Sequence, residues 1–372
     1  MPTVKSVIKT ILKNAPGKDL ARHIAISQVS HSRTTHISNA RELLQRFSPK
    51  PSYRYKKPTT LTPFAENYDV SVIVPAYNVE SFIEECLTSL VEQQSNYSFE
   101  IIVVNDGSTD ETPDIINSIA DQHSNVHAIN QHNKGFSGAR NTGINNAKGK
   151  SIMFVDSDDK VAPGHIESFA SSLFNSEYDF ITGRYTIINE SGNYLSKGEK
   201  PRSMGAPWGR IYRRKVWDNI RFPEGYLFED TIQNFCIKPL FTELDIDDTS
   251  YMYRSRATSI SHSISRNRRS VETYWIIEEL IEECRLLGVP FDQYLYARTI
   301  KQFGAVAYRR ILALNNEIQH IFFAACSEFL VSIPEFKSFW YTQDEVLGDI
   351  EKALLRCNFN MWRTACQFAQ IY

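Results

Sequence analysis

The 372 residues carry 41 Lys and Arg against 43 Asp and Glu, with 42% hydrophobic and 23% charged positions, a balance expected of a soluble globular chain of two or three domains. No apolar run reaches the roughly 18 residues of a membrane span, and no N-terminal apolar core marks a secretory leader. The six cysteines are scattered without a CxxC pair, which argues against a zinc site or a disulfide framework and fits a reducing cytoplasm.

The first block, residues 1–66, is a basic, partly helical extension. Over residues 1–58, four lysines from Lys5 to Lys18, then Arg22, Arg33, Arg41, Arg46, Lys50, Arg54, Lys56 and Lys57 face only Asp19 and Glu42. Such an arm favours anionic partners and suggests peripheral contact with the inner face of a membrane. It ends in SPKPSYRYKKPTTLTPF (48–64), whose prolines mark a linker.

The second block, 67–264, alternates strand and helix. DVSVIVPAY (69–77) is a buried β-branched strand, and SFIEECLTSLVEQ is an amphipathic helix. FEIIVVNDGSTD (99–110) is a second strand, stopping at Asp106-Gly107. TPDIINSIADQH (112–123) follows as a helix, with Thr112 its expected cap and Pro113 at the first helical position. NVHAINQHN is the third strand, SGARNTGINNAKG (137–149) a helix closed by Gly149, and SIMFVDSDD the fourth strand. This α/β alternation predicts a mostly parallel sheet flanked by helices, with ligands at the carboxyl ends of its strands. The third block, 265–372, is helical, with 3.6-residue periodicity in VETYWIIEELIEECRLLG, FDQYLYARTIKQFGAVAYRRILAL and EVLGDIEKALLRC. It is expected to pack on the catalytic domain, and its apolar faces also suggest a homodimer.

Each strand end carries groups suited to a nucleotide. Pro75, Ala76, Tyr77 and Glu80 follow the first strand. Asp106, after the second, is placed to accept from a base N–H or a ribose hydroxyl, and Gly107 permits close backbone approach. The loop 133–141 sets Lys134, Gly138 and Arg140 at the start of a helix, a setting suited to phosphate or the polar edge of a nucleotide. Asp156 and Asp158, one residue apart in extended chain, project to the same side and suit a shared Mg2+ or Mn2+.

The segments VSVIVPAYNVESFIEECLTSLVEQ, EIIVVNDGSTDET, NKGFSGARNTGINNAKGKSIMFVDSDD and FEDTIQNF together resemble the family 2 glycosyltransferases of GT-A fold, over roughly residues 69–260. The resemblance implies an inverting transferase that moves a sugar from a nucleotide-diphosphate donor, commonly UDP-linked, to a hydroxyl of a glycan or lipid-linked acceptor. The expected setting is a bacterial surface polysaccharide such as capsule or lipopolysaccharide, without nucleic acid. It assigns Pro75, Tyr77, Glu80 and Asp106 to the uridine, and matches Arg140 to the arginine of the family's Gly-Ala-Arg-Asn motif. Asp156 goes to the ribose and the metal's hydration shell, and Asp158 to the metal itself. Asp159 either faces the donor sugar or acceptor or caps the turn into VAPG. Asp230 is the expected general base, with Glu229 second. Trp208 lies beneath the acceptor pocket, Arg256 and Ser259 approach the diphosphate, and His262 completes the metal shell. A catalytically inactive relative serving as a binding or assembly subunit is the competing expectation.

Overall fold

The computed structural model describes residues 17–32, 34, 36–52, 67–195, 205–256, 267–339 and 344–370. Contacts divide the chain into two units, Ser52–Ser259 and Met1–Pro51 with Ile260–Tyr372.

In the first unit the apolar runs become the centre of a sheet. β1 (Tyr68–Ala76), β2 (Phe99–Asn105), β3 (Val126–Asn130) and β4 (Gly149–Phe154) are mutually parallel, in the spatial order β3-β2-β1-β4. Val70 to Val74 and Ile101 to Val104 are buried along their whole lengths, because helices cover both faces of a parallel sheet. Short strands complete the fold: β5 (Lys160–Val161), β6 (Phe180–Thr182), β7 (Tyr185–Ile188), β8 (Arg210–Arg213), β9 (Glu243–Asp245) and β10 (Tyr251–Arg254). The main sheet continues past β4 as β8-β6-β9, with β8 antiparallel to both neighbours, and β5-β10-β7 form a second, three-stranded sheet.

Strand order reverses at β1, which has β2 on one side and β4 on the other. Pairing with β2 runs to Ala76↔Asn105, but pairing with β4 stops at Ile73↔Phe154. The separation of β4 from β1 opens a crevice at the carboxyl edge, the usual ligand position in such sheets. It also explains how Pro75, which lacks an N–H, is accommodated in a central strand: no β4 ladder partner stands opposite it.

Helices Ile83–Val91, Thr112–Gln122, Gly135–Asn146 and His165–Phe174 connect these strands. Two local expectations are corrected. The Thr112 hydroxyl does not cap its own helix; it accepts the Val79 N–H at 2.9 Å, tying the first loop to the second. Gly149 does not close a helix, which ends at Asn146, but opens β4. A Cβ at Gly149 would stand 2.5 Å from the Ser71 amide nitrogen, so only glycine allows the strands this approach.

The second unit joins both ends of the chain. Helices Lys18–Val29 and Ala40–Phe47 pack with Glu272–Leu287, Gln293–Lys301, Ala307–Ile311, Asn316–Ser332, Glu345–Leu355 and Phe359–Ala369. Asn316–Ser332 and Phe359–Ala369 escaped the periodicity reading, and the single helix expected over 291–314 breaks at a π-turn, Gln302–Val306. A Cβ on Gly304 would stand 2.5 Å from Ile350 Cγ2. Cations of the basic extension find partners here. Arg22 is buried and donates to Asp349 at 2.5 Å and to Glu345. Arg41 is bidentate on Glu278 at 2.6 and 3.0 Å, and Lys50 bridges Glu278 and Glu279. The extension therefore belongs to the helical unit through 17–51, while the cations at 1–16 and 53–66 lie outside the described residues.

Candidate active site

The loops after β1 and β2 are stitched to one another. Asn78, in left-handed backbone at φ 49°, accepts the Thr109 N–H at 2.8 Å and donates its own N–H to Ser108 Oγ at 3.0 Å. Glu80, exposed, accepts the Glu111 N–H at 2.9 Å. Pro75 and Ala76 are buried at the strand end, whereas the Tyr77 ring is 49% exposed beyond it.

Asp106 is only 2% exposed. Its Oδ1 accepts from Gln131 Nε2 at 2.6 Å and from the Lys134 backbone N–H at 2.8 Å. Gln131 is itself oriented by Thr142, whose hydroxyl donates to Gln131 Oε1 at 2.6 Å. Asp106 Oδ2 is buried and has no hydrogen-bond partner among the described residues. A buried acceptor left unpaired costs free energy, so this oxygen marks a place for a donor. Lys134 contributes its backbone here while its side chain is exposed, and Gly138 packs beneath it, where a Cβ would lie 2.3 Å from Lys134 Cβ.

The turn after β4 spreads its three aspartates into three settings. Asp156 and Asp158 are partly exposed, at 25% and 21% of their side chains. Burial pushes the Asp158 carboxyl above the usual carboxylate range, Asp156 adds to the push, and an ion pair with Arg256 opposes it. Asp159 is different. It is 1% exposed and accepts from the Tyr251 hydroxyl at 2.6 Å and the Arg254 N–H at 2.7 Å. Burial, then Asp158 and Asp156, hold its carboxyl well above the ordinary range. In place of an open carboxylate facing a sugar, Asp159 is a buried tie between the aspartate turn and β10. Arg254, also 1% exposed, donates Nε to the Asp158 carbonyl at 2.7 Å and NH2 to Glu85 at 2.5 Å, bracing the same turn.

Arg140 is 5% exposed. Its NH1 donates to Glu229 Oε1 at 2.6 Å and its NH2 to Asp156 Oδ1 at 2.8 Å. Burial works against its charge, but Asp156 and then Glu229 more than compensate and hold it protonated. Arg140 thus turns inward, between two carboxylates. Burial pushes the Glu229 carboxyl upward, Arg140 pulls it back down and Asp230 adds to the rise, and the direct Arg140 contact keeps the two paired as ions. Asp230, next in the short turn Glu229–Thr231, is only partly buried. Trp208 lies flat against Tyr251 and Tyr253, with ring centroids 4.7 and 5.4 Å away. Arg256 pairs with Asp158 over the Phe82 ring. Ser259 and His262 lie outside the described residues.

Arg140, Asp156, Asp158, Asp159, Glu229 and Arg256 are therefore tied into one network after β4, and Asp106 with Lys134 into a second after β2 and β3, both at the carboxyl edge of the sheet. Gln131, Asn141, Tyr251 and Arg254 join them without having been singled out from sequence. Gln131 had one local signal, its place directly after β3. Tyr251 and Arg254 lie in YMYRSRATSISHS (251–263), a stretch that resembles the family's donor loop, but their inward role emerged only when β10 paired with β5 and β7.

Residues 71–237 match Glycosyl transferase family 2. GlyG of Streptococcus pneumoniae serotype 4, a glycosyltransferase, is 30% identical over 254 residues, 59% of this chain and 82% of its own length. The chain belongs to glycosyltransferase family 2. GlyA of the same organism is 29% identical over 255 residues, 61% of this chain but 36% of that protein, so the chain spans about a third of that relative. The crystal structure of S. aureus TarS 1-349 in complex with UDP-GlcNAc superimposes with a TM-score of 0.64 at 21% identity, over 80% of this chain and 90% of that one. The shared fold is GT-A, a mostly parallel sheet between helices, as the strand-helix alternation and its motifs led one to expect.

Proposed function

We propose that this family 2 glycosyltransferase transfers a sugar, with inversion, from a UDP-linked donor to a hydroxyl of a glycan or lipid-linked acceptor in bacterial surface polysaccharide. The buried, unpaired Asp106 Oδ2 at the crevice edge carries this reading. A uracil imide N–H is a donor of the kind that oxygen lacks, and cytosine offers no hydrogen at the equivalent nitrogen. Pro75, Ala76, Tyr77 and Glu80 line the adjacent loop for the uridine. The TarS complex contains UDP-GlcNAc, which supports a UDP-linked donor without naming the sugar used here.

The aspartate turn fits a divalent cation by its donor chemistry. Among the described residues no three His, Cys, Asp or Glu form a ready cage. Asp158 and Asp156 nevertheless offer partly exposed hard oxygens, with Arg256 the cation that pairs with Asp158 in the absence of a metal. Asp158, with Asp156 through hydration, would hold Mg2+ or Mn2+, and His262 remains a proposed third ligand. Bound there, the ion supplies charge neutralisation to the leaving diphosphate. Arg256 and Ser259 are assigned to the same diphosphate, and Trp208 to the acceptor side.

Inversion requires a base on the acceptor hydroxyl, opposite the leaving group. Asp230 takes that role, because Glu229 is buried and engaged by Arg140. The test is release of free nucleoside diphosphate from a panel of nucleotide sugars with Mg2+ or Mn2+. Wild type should release UDP; Asp158→Ala should abolish release, and Asp230→Asn should lower it by about 10²–10⁴-fold with UDP binding kept. Unchanged turnover in chelator would refute the metal-dependent mechanism. No release from any donor would refute transfer itself.

A further inference from the structure

We infer that Arg140 is a positioning residue that locks the Glu229–Asp230 turn to the aspartate turn, and that it is not a ligand of the nucleotide. The inference rests on the proposed roles of Asp230 and Asp156. Both terminal guanidinium nitrogens are engaged within the protein, NH1 by Glu229 at 2.6 Å and NH2 by Asp156 at 2.8 Å, while Nε is buried in the interior with no partner among the described residues. The guanidinium carbon lies 5.7 Å from the Phe136 ring centroid and 5.5 Å from that of Phe222, so apolar walls fix its position. At 5% exposure little of it meets a ligand.

The next residue fastens the same segment at a second point. Asn141 Nδ2 donates to the Phe222 carbonyl at 2.8 Å, and Asn141 Oδ1 accepts the Phe222 N–H at 2.9 Å. Asn141 Nδ2 also reaches Glu224 at 3.1 Å. Consecutive residues of helix Gly135–Asn146 therefore grip both ends of 222–229, the segment that delivers Asp230. Phe222 is in turn wedged against Phe154 of β4 and Trp217, with centroids 5.5 and 4.9 Å apart. The acceptor-side turn consequently has its position set by the strand and helix that form the donor side. Arginine suits this role because its planar fork serves two carboxylates at once, which a single lysine ammonium at the same backbone position does not.

Arg140→Lys separates this from direct nucleotide binding. The expected result is a UDP Kd within about threefold of wild type by calorimetry, with kcat lower by about 100-fold, the size of loss an ångström-scale misplacement produces. Hydrogen exchange over 222–231 should also become faster, a readout independent of turnover. Glu229→Gln weakens the same bridge while keeping an acceptor for Arg140, and should repeat the pattern at about a tenfold loss of kcat. It decides the matter if Arg140→Lys does not fold. Weakening of UDP binding by more than about tenfold with kcat kept would make Arg140 a nucleotide ligand. Unchanged exchange over 222–231 would likewise overturn the inference. Absence of turnover in wild type refutes the transferase reading alone, since binding and exchange still report on Arg140.

Discussion

Asp106, Asp156, Asp158 and Asp159 are four carboxylates of one edge whose surroundings give each a different capacity. Asp159 has both oxygens engaged by Tyr251 and Arg254 and serves the fold. Asp156 and Asp158 keep partial exposure and suit a cation. Asp106 has one oxygen held by Gln131 and Lys134 and one left over. Asp106→Asn offers an N–H, or a flipped amide, where the imide donor needs an acceptor. We expect the UDP Kd to rise by about 10–100-fold, corresponding to roughly 1.4–3 kcal/mol for a mispaired buried polar group, with the melting temperature little changed. Equal UDP affinity in wild type and variant would remove Asp106 from base recognition. The family resemblance assigned the four separate roles, but their burial and pairing were not readable in NDGSTD and FVDSDD, because neither motif contains the partners that fix them.

Among the elements, helix His165–Phe174 joins the three-stranded sheet through one buried histidine. His165 is 1% exposed and its Nδ1 lies 2.6 Å from Ser250 Oγ, whose hydrogen goes to Asp248. The proton therefore sits on Nδ1, and Nε2, beside Phe169 and Tyr251, is bare with no partner among the described residues. Burial lowers the imidazole pKa to about 4, Asp248 acting weakly in the other direction. A folded-state value below the unfolded one means that stability is present above about pH 6.5 and is lost as pH falls toward 4. The loss is on the order of 3 kcal/mol, from about 1.4 kcal/mol per pKa unit. Urea unfolding across this range should show it in wild type and lose the steepest part in His165→Phe. An identical acid limb in both would exclude His165 as the cause. A similar element-level reason places Gly143 inside helix Gly135–Asn146, where a Cβ would stand 2.3 Å from Ile73 Cγ2 of β1. Glycine costs helix stability there but lets the helix that carries Arg140 lie close on the sheet.

For the whole molecule, the charge asymmetry between the chain's start and the rest is partly resolved inside the fold. Arg22 meets Asp349, 327 residues away, and Asn358 accepts from Ser32 Oγ at 2.9 Å while donating to the Val29 carbonyl at 3.1 Å. The helix Lys18–Val29 is thus a component of the helical unit, held to it at both ends. Arg22→Met should destabilise that unit by about 3–5 kcal/mol, because Asp349 is left buried and unpaired. Arg22→Met with Asp349→Leu should recover most of the loss in chemical denaturation, since paired removal leaves no orphaned charge. If the double variant is no more stable than the single one, the ion pair does not account for the attachment. Among the described residues no helix is long and apolar enough to cross a membrane.

The strand-helix alternation from 67 onward, the polar strand ends and their family motifs were all readable in the chain, because hydrophobic period and turn chemistry are properties of neighbouring residues. So was the crevice's place at the carboxyl edge. The inward direction of Arg140, the burial of Asp159, the Gln131 support of Asp106 and the joining of both chain ends were not. Arg140 and Glu229 are 89 positions apart, Asp159 and Tyr251 are 92, and Arg22 and Asp349 are 327. No local pattern encodes which distant partner a buried charge will have; that follows only when the sheet closes and low-dielectric surroundings require every such charge to be matched.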